Sequence, residues 1–376
     1  MNARYGAKLC LLWKWAWMIG GALPLSACLN GGGDNAAPVQ RATFLNLGFL
    51  PGHLSSQASA VSSDGTVIVG TATTTVRNRQ AFRWTAREGM TGLGFMPGGT
   101  FSMANATSAN GGVIVGSGDT TGANPPGTWT TFRWTPDGGL QRIDGPPGSQ
   151  LCSAAGVSGD GAVIVGACLQ TNNVAAFRWT ASTGAVALSR FCCGSFAQSS
   201  VAAISLDGSV IVGLGHPAVS GAVMWSADGS PTILGKLPGD AASAATAVSR
   251  DGSVIVGWST DNAGTTRAFR WTQRTGPVDL GYSVDGLLGS FATSVSGSGT
   301  IIVGYGPTTT GDVALIWDED HGLRRLDAAL VGDYQTQITG WTLNQATAIS
   351  DDGRTIAGFG TNPQGQIEAW TVKLAD

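Results

Sequence analysis

The chain is built on a repeated stretch whose first copy reads Ala58-Ser59-Ala60-Val61-Ser62-Ser63-Asp64-Gly65-Thr66-Val67-Ile68-Val69-Gly70. This stretch predicts a β-hairpin, because a Ser-Asp-Gly turn, with glycine where positive φ is needed, separates two runs of strand-forming residues. With a three-residue turn, Val61 faces Val67 across the hairpin. Both faces are apolar, and a continuous Val-Ile-Val run is typical of a strand that is covered on both sides.

Seven copies of this hairpin follow one another at intervals of 44 to 54 residues, and their turn glycines are Gly65, Gly111, Gly161, Gly208, Gly252, Gly299 and Gly353. After each hairpin comes a third predicted strand that ends in tryptophan, at Trp84, Trp134, Trp179, Trp225, Trp271, Trp317 and Trp370. Their regular recurrence predicts that these tryptophans belong to the core. A fourth strand follows, clearest over residues 92–99. Four strands at a period near 48 residues predict the blade of a propeller.

The two ends of the chain complement each other. The seventh repeat stops soon after Trp370 and lacks a fourth strand, whereas residues 44–52 form an isolated fourth strand before the first hairpin. Pairing the two completes the seventh blade and removes the exposed strand edges. The sequence therefore predicts an all-β fold over residues 42–376, a seven-bladed β-propeller closed by its N-terminal strand. A β-solenoid or a pair of sandwiches is the alternative.

Residues 1–28 have the features of an export signal. Arg4 and Lys8 precede an apolar stretch, and the segment ends in Leu25-Ser26-Ala27-Cys28. This ending resembles the lipobox of bacterial lipoproteins, which implies that Cys28 becomes the first mature residue and carries diacylglycerol and fatty acyl chains such as palmitate. An ordinary signal peptide or an uncleaved anchor is the alternative.

The second residue of that mature chain is Leu29 rather than aspartate, which by resemblance to Gram-negative lipoproteins favours the outer membrane of the cell envelope. Residues 29–41, which include three consecutive glycines, are predicted to form a flexible tether. The membrane is thus a predicted partner through the lipid anchor. The sequence leaves open whether the propeller faces the periplasm or the surface.

Charge and composition bear on the possible partners and on the fold. Without residues 1–28 the chain has 18 basic and 24 acidic residues, a net charge of about −6. The basic residues are scattered, so no nucleic-acid partner is predicted. With 57 glycines and only 12% charged residues, the chain favours short strands and many turns.

The recurring Ala-Phe-Arg-Trp, the Val-Ser-x-Asp-Gly-x-Val-Ile-Val-Gly hairpin and the Leu-Gly-x-Leu-Pro-Gly strand resemble the HAF family of extracellular repeat proteins, over about residues 42–376. In that family the third strand typically begins His-Ala-Phe, whereas here the histidine position holds Gln80, Ala175 or Arg267. The resemblance implies a repeat fold outside the cytoplasm and brings no established activity.

Two repeated polar positions have simple structural explanations. The turn aspartates, of which Asp64 is the first, are predicted to bind their own turn backbone rather than calcium, because one carboxylate per turn does not supply a calcium site. The arginines Arg83, Arg133, Arg178 and Arg270 could line a groove for an acidic ligand. Because Met224 takes this position in the fourth repeat, a packing role for the arginine stem is favoured.

Five aromatic residues outside the repeated pattern are candidates for binding a sugar or a peptide. Three of them, Trp258, Tyr305 and Phe359, occupy the same position in successive repeats, and the others are Trp129 and Trp341. Packing between blades is the favoured alternative for these side chains.

Four cysteines, Cys152, Cys168, Cys192 and Cys193, lie in one repeat. The hairpin register places Cys152 directly across from Cys168, which makes a disulfide between them a candidate in an exported protein. Four cysteines allow three pairings, and the sequence does not choose among them.

The sequence offers no motif for catalysis, and we predict no metal and no cofactor. Its three histidines, His53, His216 and His321, are far apart. We therefore predict a monomeric binding or scaffolding module of the cell envelope, whose partner is an envelope protein or a glycan. The contact surface is expected on the face that carries the loops between second and third strands and between blades. A polysaccharide hydrolase or lyase on the same fold is the alternative, since a pair of carboxylates from different blades is invisible in one sequence.

Overall fold

A computed structural model describes residues 41–75, 78–121, 129–170, 173–189, 198–216, 221–282 and 286–375 of the 376-residue chain. The predicted signal peptide with Cys28, residues 29–40 of the predicted tether, and Cys192 and Cys193 lie outside these ranges.

The first strand of the described chain is β1 (Thr43–Gly48). Three groups of four consecutive strands follow it. Blade 1 contains β2 (Ser55–Val61), β3 (Val67–Thr75), β4 (Asn78–Thr85) and β5 (Gly89–Gly92). Blade 2 contains β6 (Ser102–Thr107), β7 (Ile114–Gly118), β8 (Thr130–Thr135) and β9 (Gly139–Ile143). Blade 3 contains β10 (Cys152–Val157), β11 (Val163–Gln170), β12 (Asn173–Thr180) and β13 (Gly184–Ala187).

The remaining strands form four further blades. Blade 4 contains β14 (Gln198–Ile204), β15 (Val210–His216), β16 (Gly221–Ser226) and β17 (Pro231–Gly235). Blade 5 contains β18 (Ala242–Val248), β19 (Val254–Thr260), β20 (Thr266–Thr272) and β21 (Gly276–Gly281). Blade 6 contains β22 (Phe291–Val295), β23 (Ile301–Thr308), β24 (Gly311–Asp318) and β25 (Gly322–Arg325), and the helix α1 (Leu326–Gly332) follows it. Blade 7 contains β26 (Thr342–Ile349), β27 (Thr355–Thr361), β28 (Ile367–Lys373) and β1.

Each blade is a four-stranded antiparallel sheet, and the first strand of every blade lines a central channel. The fold is a seven-bladed β-propeller, as the repeats predict. Closure of the ring is also confirmed, because β1 pairs with β28 from Thr43 opposite Lys373 to Gly48 opposite Ala369. Within the described residues, no helix is both long and apolar enough to cross a bilayer.

The second strands of the blades form the core between neighbouring sheets. Ile68 and Val69 are fully buried, as are the residues at the same positions of most other blades. Burying one such side chain contributes about 1.5–3 kcal/mol, so the repeated Val-Ile-Val run supplies the main apolar adhesion between blades.

The predicted register is wrong next to the turn and correct further along the hairpin. Val61 faces Ile68 rather than Val67, because the turn is one residue longer than predicted and Ser62 bonds to Val67. A β-bulge between Ala58 and Ala60 then absorbs the extra residue, so the pairing beyond it returns to the predicted register. The equivalent bulge in blade 3 leaves Cys152 opposite Cys168.

The prediction that the repeated tryptophans belong to the core is confirmed in full for Trp225 and Trp370, which are completely buried. Trp84 and its equivalents in blades 2, 3, 5 and 6 are half-buried and pack against the core. In blades 1, 2, 3 and 5 the fully buried aromatic side chain is the phenylalanine two residues earlier, such as Phe82. In blade 7 the register places Trp370 opposite Gly358, which is the phenylalanine position, and Val372 takes the tryptophan position. The third strand of blade 7 has a single aromatic residue, so the sequence alone did not show which of the two positions that residue occupies.

A serine at the start of the innermost strand links each of several blades to the one before it. In blade 2, the Ser102 hydroxyl donates to the Gly94 carbonyl and accepts from the Ala81 N–H of blade 1. The same pair of bonds is made by Ser56, Ser243 and Ser290.

In blade 3 this serine position is held by Cys152, which forms a disulfide with Cys168 on the neighbouring strand. The two sulfurs pack against Gly145 of blade 2, where an added Cβ would lie 2.4 Å from Cys152 Sγ. A covalent pair therefore takes the place of the bridging hydroxyl at the junction of blades 2 and 3.

Candidate functional site

The hairpin turns surround one end of the central channel, and each is held by its own side chains. In blade 1, Asp64 Oδ1 accepts from the Ser62 hydroxyl at 2.6 Å and from the Thr66 N–H at 3.0 Å. The Ser62 hydroxyl oxygen also accepts from the Val67 N–H at 2.9 Å. The prediction that the aspartate binds the turn backbone is confirmed by these contacts.

A closed circle of backbone hydrogen bonds joins the seven turns. In each blade, the residue between the turn serine and the turn Asp, Asn or Ser donates its N–H to the carbonyl of its equivalent in the next blade, at 2.7–3.3 Å. The last bond, from the Asp351 N–H to the Ser63 carbonyl, closes the circle. Its members are Ser63, Ala109, Gly159, Leu206, Arg250, Gly297 and Asp351. We call these seven residues the mouth circle.

Directly inside the mouth circle lies a collar of seven β-branched residues, which are Val61, Thr107, Val157, Ile204, Val248, Val295 and Ile349. Together with small residues of the innermost strands they line a cavity of about 180 Å³ to which every blade contributes. The collar is apolar except for one threonine, so the inside of the cavity favours an apolar group.

Two oppositely charged side chains of the mouth circle line the same cavity. Arg250 Nη1 lies 3.7 Å from Asp351 Oδ2, and the two side chains are 65% and 24% exposed. Burial raises the pKa of Asp351, and the nearby Ser63 hydroxyl and Arg250 guanidinium oppose that rise less strongly. Asp351 Oδ2 is buried and has no hydrogen-bond donor among the described residues. A charged pair thus stands at the rim of a cavity that has an apolar collar.

Turn aspartates add negative charge beside this rim. Asp160, Asp207 and Asp251 lie with Leu206 and Arg250 around a shallow depression next to the channel. Hydrogen bonds from the Ser158 hydroxyl and the Ala162 N–H lower the pKa of Asp160, so its carboxylate is ionised at neutral pH. The rim therefore favours partners that carry positive charge beside an apolar group.

Sequence reasoning missed this site, although a signal for it is present. The turn serine and the turn glycine are the same in all seven hairpins, whereas the mouth-circle position holds residues as different as glycine, leucine, arginine and aspartate. The mouth also opens on the face of the turns between first and second strands, opposite to the face on which we expected the contact surface, because antiparallel strands place alternate connections at opposite ends.

Of the five predicted binding residues, the structure brings two together. The Phe291 ring stacks on Tyr305, with ring centroids 4.9 Å apart, and lies edge-on to Trp258 at 6.3 Å. Phe359 is half-buried on β27, opposite Gln345. Burial raises the pKa of Tyr305, and the Asp312 carboxylate adds to that rise.

The other two predicted binding residues lie elsewhere and pack against phenylalanines. Trp129 stacks on Phe101 with ring centroids 5.1 Å apart, and Trp341 packs edge-on against Phe44 of β1 at 5.2 Å. Phe44 also lies 6.3 Å from Trp370. The contacts of Trp341 therefore help to hold the closing strand in place.

In the described part of the chain, no three histidine, cysteine, aspartate or glutamate side chains are close enough together to hold a metal ion. His321 lies 2.7 Å from Asp318 in an exposed turn of blade 6. His53 Nδ1 lies 3.1 Å from the carbonyl of Pro51. Neither of these two histidines lines the cavity at the mouth of the channel.

No protein-family model and no curated protein sequence matches this chain. Several solved structures are similar to it. The chain is similar to oligogalacturonate lyase from Vibrio parahaemolyticus, with 10% identity, a TM-score of 0.56, and coverage of 89% of this chain and 97% of the lyase. It is also similar to an oligogalacturonate lyase solved in complex with manganese, with 12% identity, a TM-score of 0.54, and coverage of 89% and 91%.

A third similar structure is the β-propeller domain of the Trilobed protease from Pyrococcus furiosus, with 9% identity, a TM-score of 0.56, and coverage of 85% of this chain and 94% of that domain. That domain has an open velcro topology, whereas in this chain β1 pairs with β28. At these identities the similarities show the propeller fold and nothing about activity.

Proposed function

We propose that this chain is a lipid-anchored binding protein of the cell envelope, and that the mouth of its channel is the contact site. The binding site is proposed from one observation. All seven blades line a cavity that has an apolar collar, and the charged pair Arg250 and Asp351 stands at its rim. An envelope protein that inserts an apolar side chain into the collar and places a basic group near Asp351 fits this chemistry.

The alternative class, a polysaccharide hydrolase or lyase, receives less support from the same cavity. Glycoside hydrolysis uses two carboxylates about 5–10 Å apart. Among the residues that line the mouth cavity, Asp351 is the one carboxylate, and Arg250 stands beside it. The geometry therefore favours binding.

The lipid anchor is supported by the sequence Leu25-Ser26-Ala27-Cys28 and by the distance to the propeller, since β1 begins at Thr43 and leaves residues 29–41 as a tether. The outer membrane is the proposed location. Cys28→Ser is expected to release the protein from the membrane fraction, measured by fractionation and immunoblotting. If the variant stays in that fraction, the anchor is a retained helix and the lipoprotein proposal fails.

The contact site is tested by cross-linking in isolated envelopes. Wild-type protein is expected to give discrete cross-linked bands, and the double variant Arg250→Ala/Asp351→Ala is expected to lose them. Arg274→Ala, at an exposed turn arginine on the same face of blade 5, is the matched control and keeps them. Bands that survive in the double variant would refute the mouth as the contact site, whatever the result for Cys28.

A further inference from the structure

A second cavity lies away from the channel, in the groove between blades 2 and 3. Its volume is about 570 Å³, within the range of roughly 300–1,000 Å³ that is usual for ligand sites. Blade 2 contributes Arg133 from β8 and Gln141, Arg142 and Ile143 from β9. Blade 3 contributes the turn glycine Gly161 with Ala162, and Trp179, Thr180, Ala181 and Ser182.

Arg133 differs from Arg83 and Arg270, which hold the same position in blades 1 and 5. The Arg83 guanidinium pairs with Glu88 at 3.0 Å, and Arg270 Nε donates to the carbonyl of Gly299. Arg133 forms no hydrogen bond or ion pair with any described residue. Its positive charge therefore faces the groove without an internal partner.

Arg178 likewise forms no ion pair with a described residue, but its surroundings are different. The tryptophan of the next blade is Trp225 there, which is fully buried, and Val186 stands where blade 2 has Gln141. Beside Arg133, Trp179 is only half-buried and lines the groove. The groove between blades 2 and 3 thus combines a free guanidinium with an accessible indole ring.

The charge of the groove is positive. No carboxylate is among the residues that line it. Arg142 is partly neutralised by Asp144, which lies 2.7 Å away and is 78% exposed, so Arg133 supplies the uncompensated charge. A guanidinium binds a planar carboxylate with two parallel hydrogen bonds, which makes a carboxylate the preferred partner.

The neutral groups of the groove define the rest of the ligand. The indole of Trp179 offers an apolar face to a sugar ring, and the Gln141 amide with the Ser182 hydroxyl can bond to sugar hydroxyls. The Thr180 hydroxyl is already bonded to Ser182 and Thr183. An acidic peptide would satisfy Arg133 but would leave the indole face unused.

We propose that the groove between blades 2 and 3 binds an acidic oligosaccharide, with a uronate carboxylate on Arg133 and the adjoining sugar ring on Trp179. This site uses none of the residues of the channel mouth. It goes beyond the proposed function and is independent of it, so either proposal can be refuted without the other.

The test measures binding of trigalacturonic acid to purified full-length protein in detergent by isothermal titration calorimetry. Arg133→Met is the decisive variant, because Met224 stands at the same position of blade 4 and shows that the fold accepts this side chain. Arg83→Met, at the paired arginine of blade 1, is the matched control. Thermal melting of each variant verifies that it is folded.

We expect wild type and Arg83→Met to bind trigalacturonic acid equally, and Arg133→Met to bind it at least tenfold more weakly. The methyl ester of the same trisaccharide, which has no free carboxylate, is expected to bind wild type as weakly as the acid binds Arg133→Met. Absence of binding to wild type, equal binding of acid and ester, or equal binding by Arg133→Met overturns the proposal. So does a result in which hexaglutamate binds and the trisaccharide does not.

Discussion

Glu368 Oε1 accepts a hydrogen bond from the backbone N–H of Gly48 at 3.0 Å, although 320 positions separate the two residues in the chain. The same carboxylate accepts from the side-chain amides of Asn46, on β1, and Asn362, on the last hairpin. Glu368 is 3% exposed. One buried carboxylate therefore connects both ends of the propeller within blade 7.

Replacing this carboxylate is expected to weaken the closure of the ring. In Glu368→Gln the charge is lost, and the NH₂ group of the new amide faces groups that are themselves donors, such as the Gly48 N–H. Hydrogen bonds to charged groups contribute about 1.5–3 kcal/mol to stability. We expect the free energy of unfolding to fall by about that amount in urea titrations. Glu319→Gln, at an exposed turn, is the control and should change it by less than about 0.5 kcal/mol. Equal stability of both variants would contradict the role of Glu368.

The disulfide of blade 3 provides a second prediction. The double variant Cys152→Ser/Cys168→Gly reproduces the residues of blade 2, where Ser102 lies opposite Gly118. A restored serine bridge should recover part of the stability that the cross-link provides, which is about 3 kcal/mol for a loop of this length.

We therefore expect the serine-glycine variant to melt above Cys152→Ala/Cys168→Ala and below the oxidised wild type. Calorimetric scans of the three proteins at one protein concentration test this order. If the two double variants melt together, the serine position does not bridge blades 2 and 3.

Asp351 and Asp160 are expected to affect stability with opposite signs. Burial raises the pKa of Asp351 from its ordinary 3.8, so the folded state loses stability relative to the unfolded state as pH rises through the folded pKa. Asp351→Asn should then unfold at higher urea than wild type at pH 7, and the difference should disappear below pH 3.8.

Hydrogen bonds to Ser158 and Ala162 lower the pKa of Asp160, so its contribution is present above pH 3.8 and is lost as pH falls through the folded pKa. Asp160→Asn should be slightly less stable than wild type at pH 7. Asn110 at the equivalent turn of blade 2 shows that the fold accepts asparagine. Urea titrations of both variants from pH 3 to pH 8 measure the two signs, and a shared sign would contradict this account of the rim.

The ring, its closure and the turn chemistry follow from local patterns, which is why the sequence predicts them. Each hairpin carries its own glycine and its own capping Asp, Asn or Ser, and the missing fourth strand after Trp370 matches the extra one at Phe44. The pairing next to the turn was mispredicted because a bulge at Ser59 leaves no mark on the pattern of apolar residues.

The candidate sites depend on residues that are distant in the chain. Arg250 and Asp351 belong to different blades, and nothing near either one in sequence indicates that they meet. Arg133 has the same sequence context as its equivalents, and its lack of a partner becomes visible only by comparison with the Glu88 contact of Arg83 and the Gly299 contact of Arg270. Aligning the seven repeats and comparing the residues at each position, rather than looking for what they share, would have shown how variable the mouth circle is.

The circle of backbone bonds around the channel has a consequence for electrostatics. Its seven peptide dipoles run head to tail in a loop, so they cancel, in contrast to the aligned dipoles of a helix. The charge at this end of the channel therefore comes from side chains, those of the mouth circle and those of the neighbouring turn aspartates. Substitutions in the mouth circle can change that charge one blade at a time, because its hydrogen bonds are made by the backbone alone.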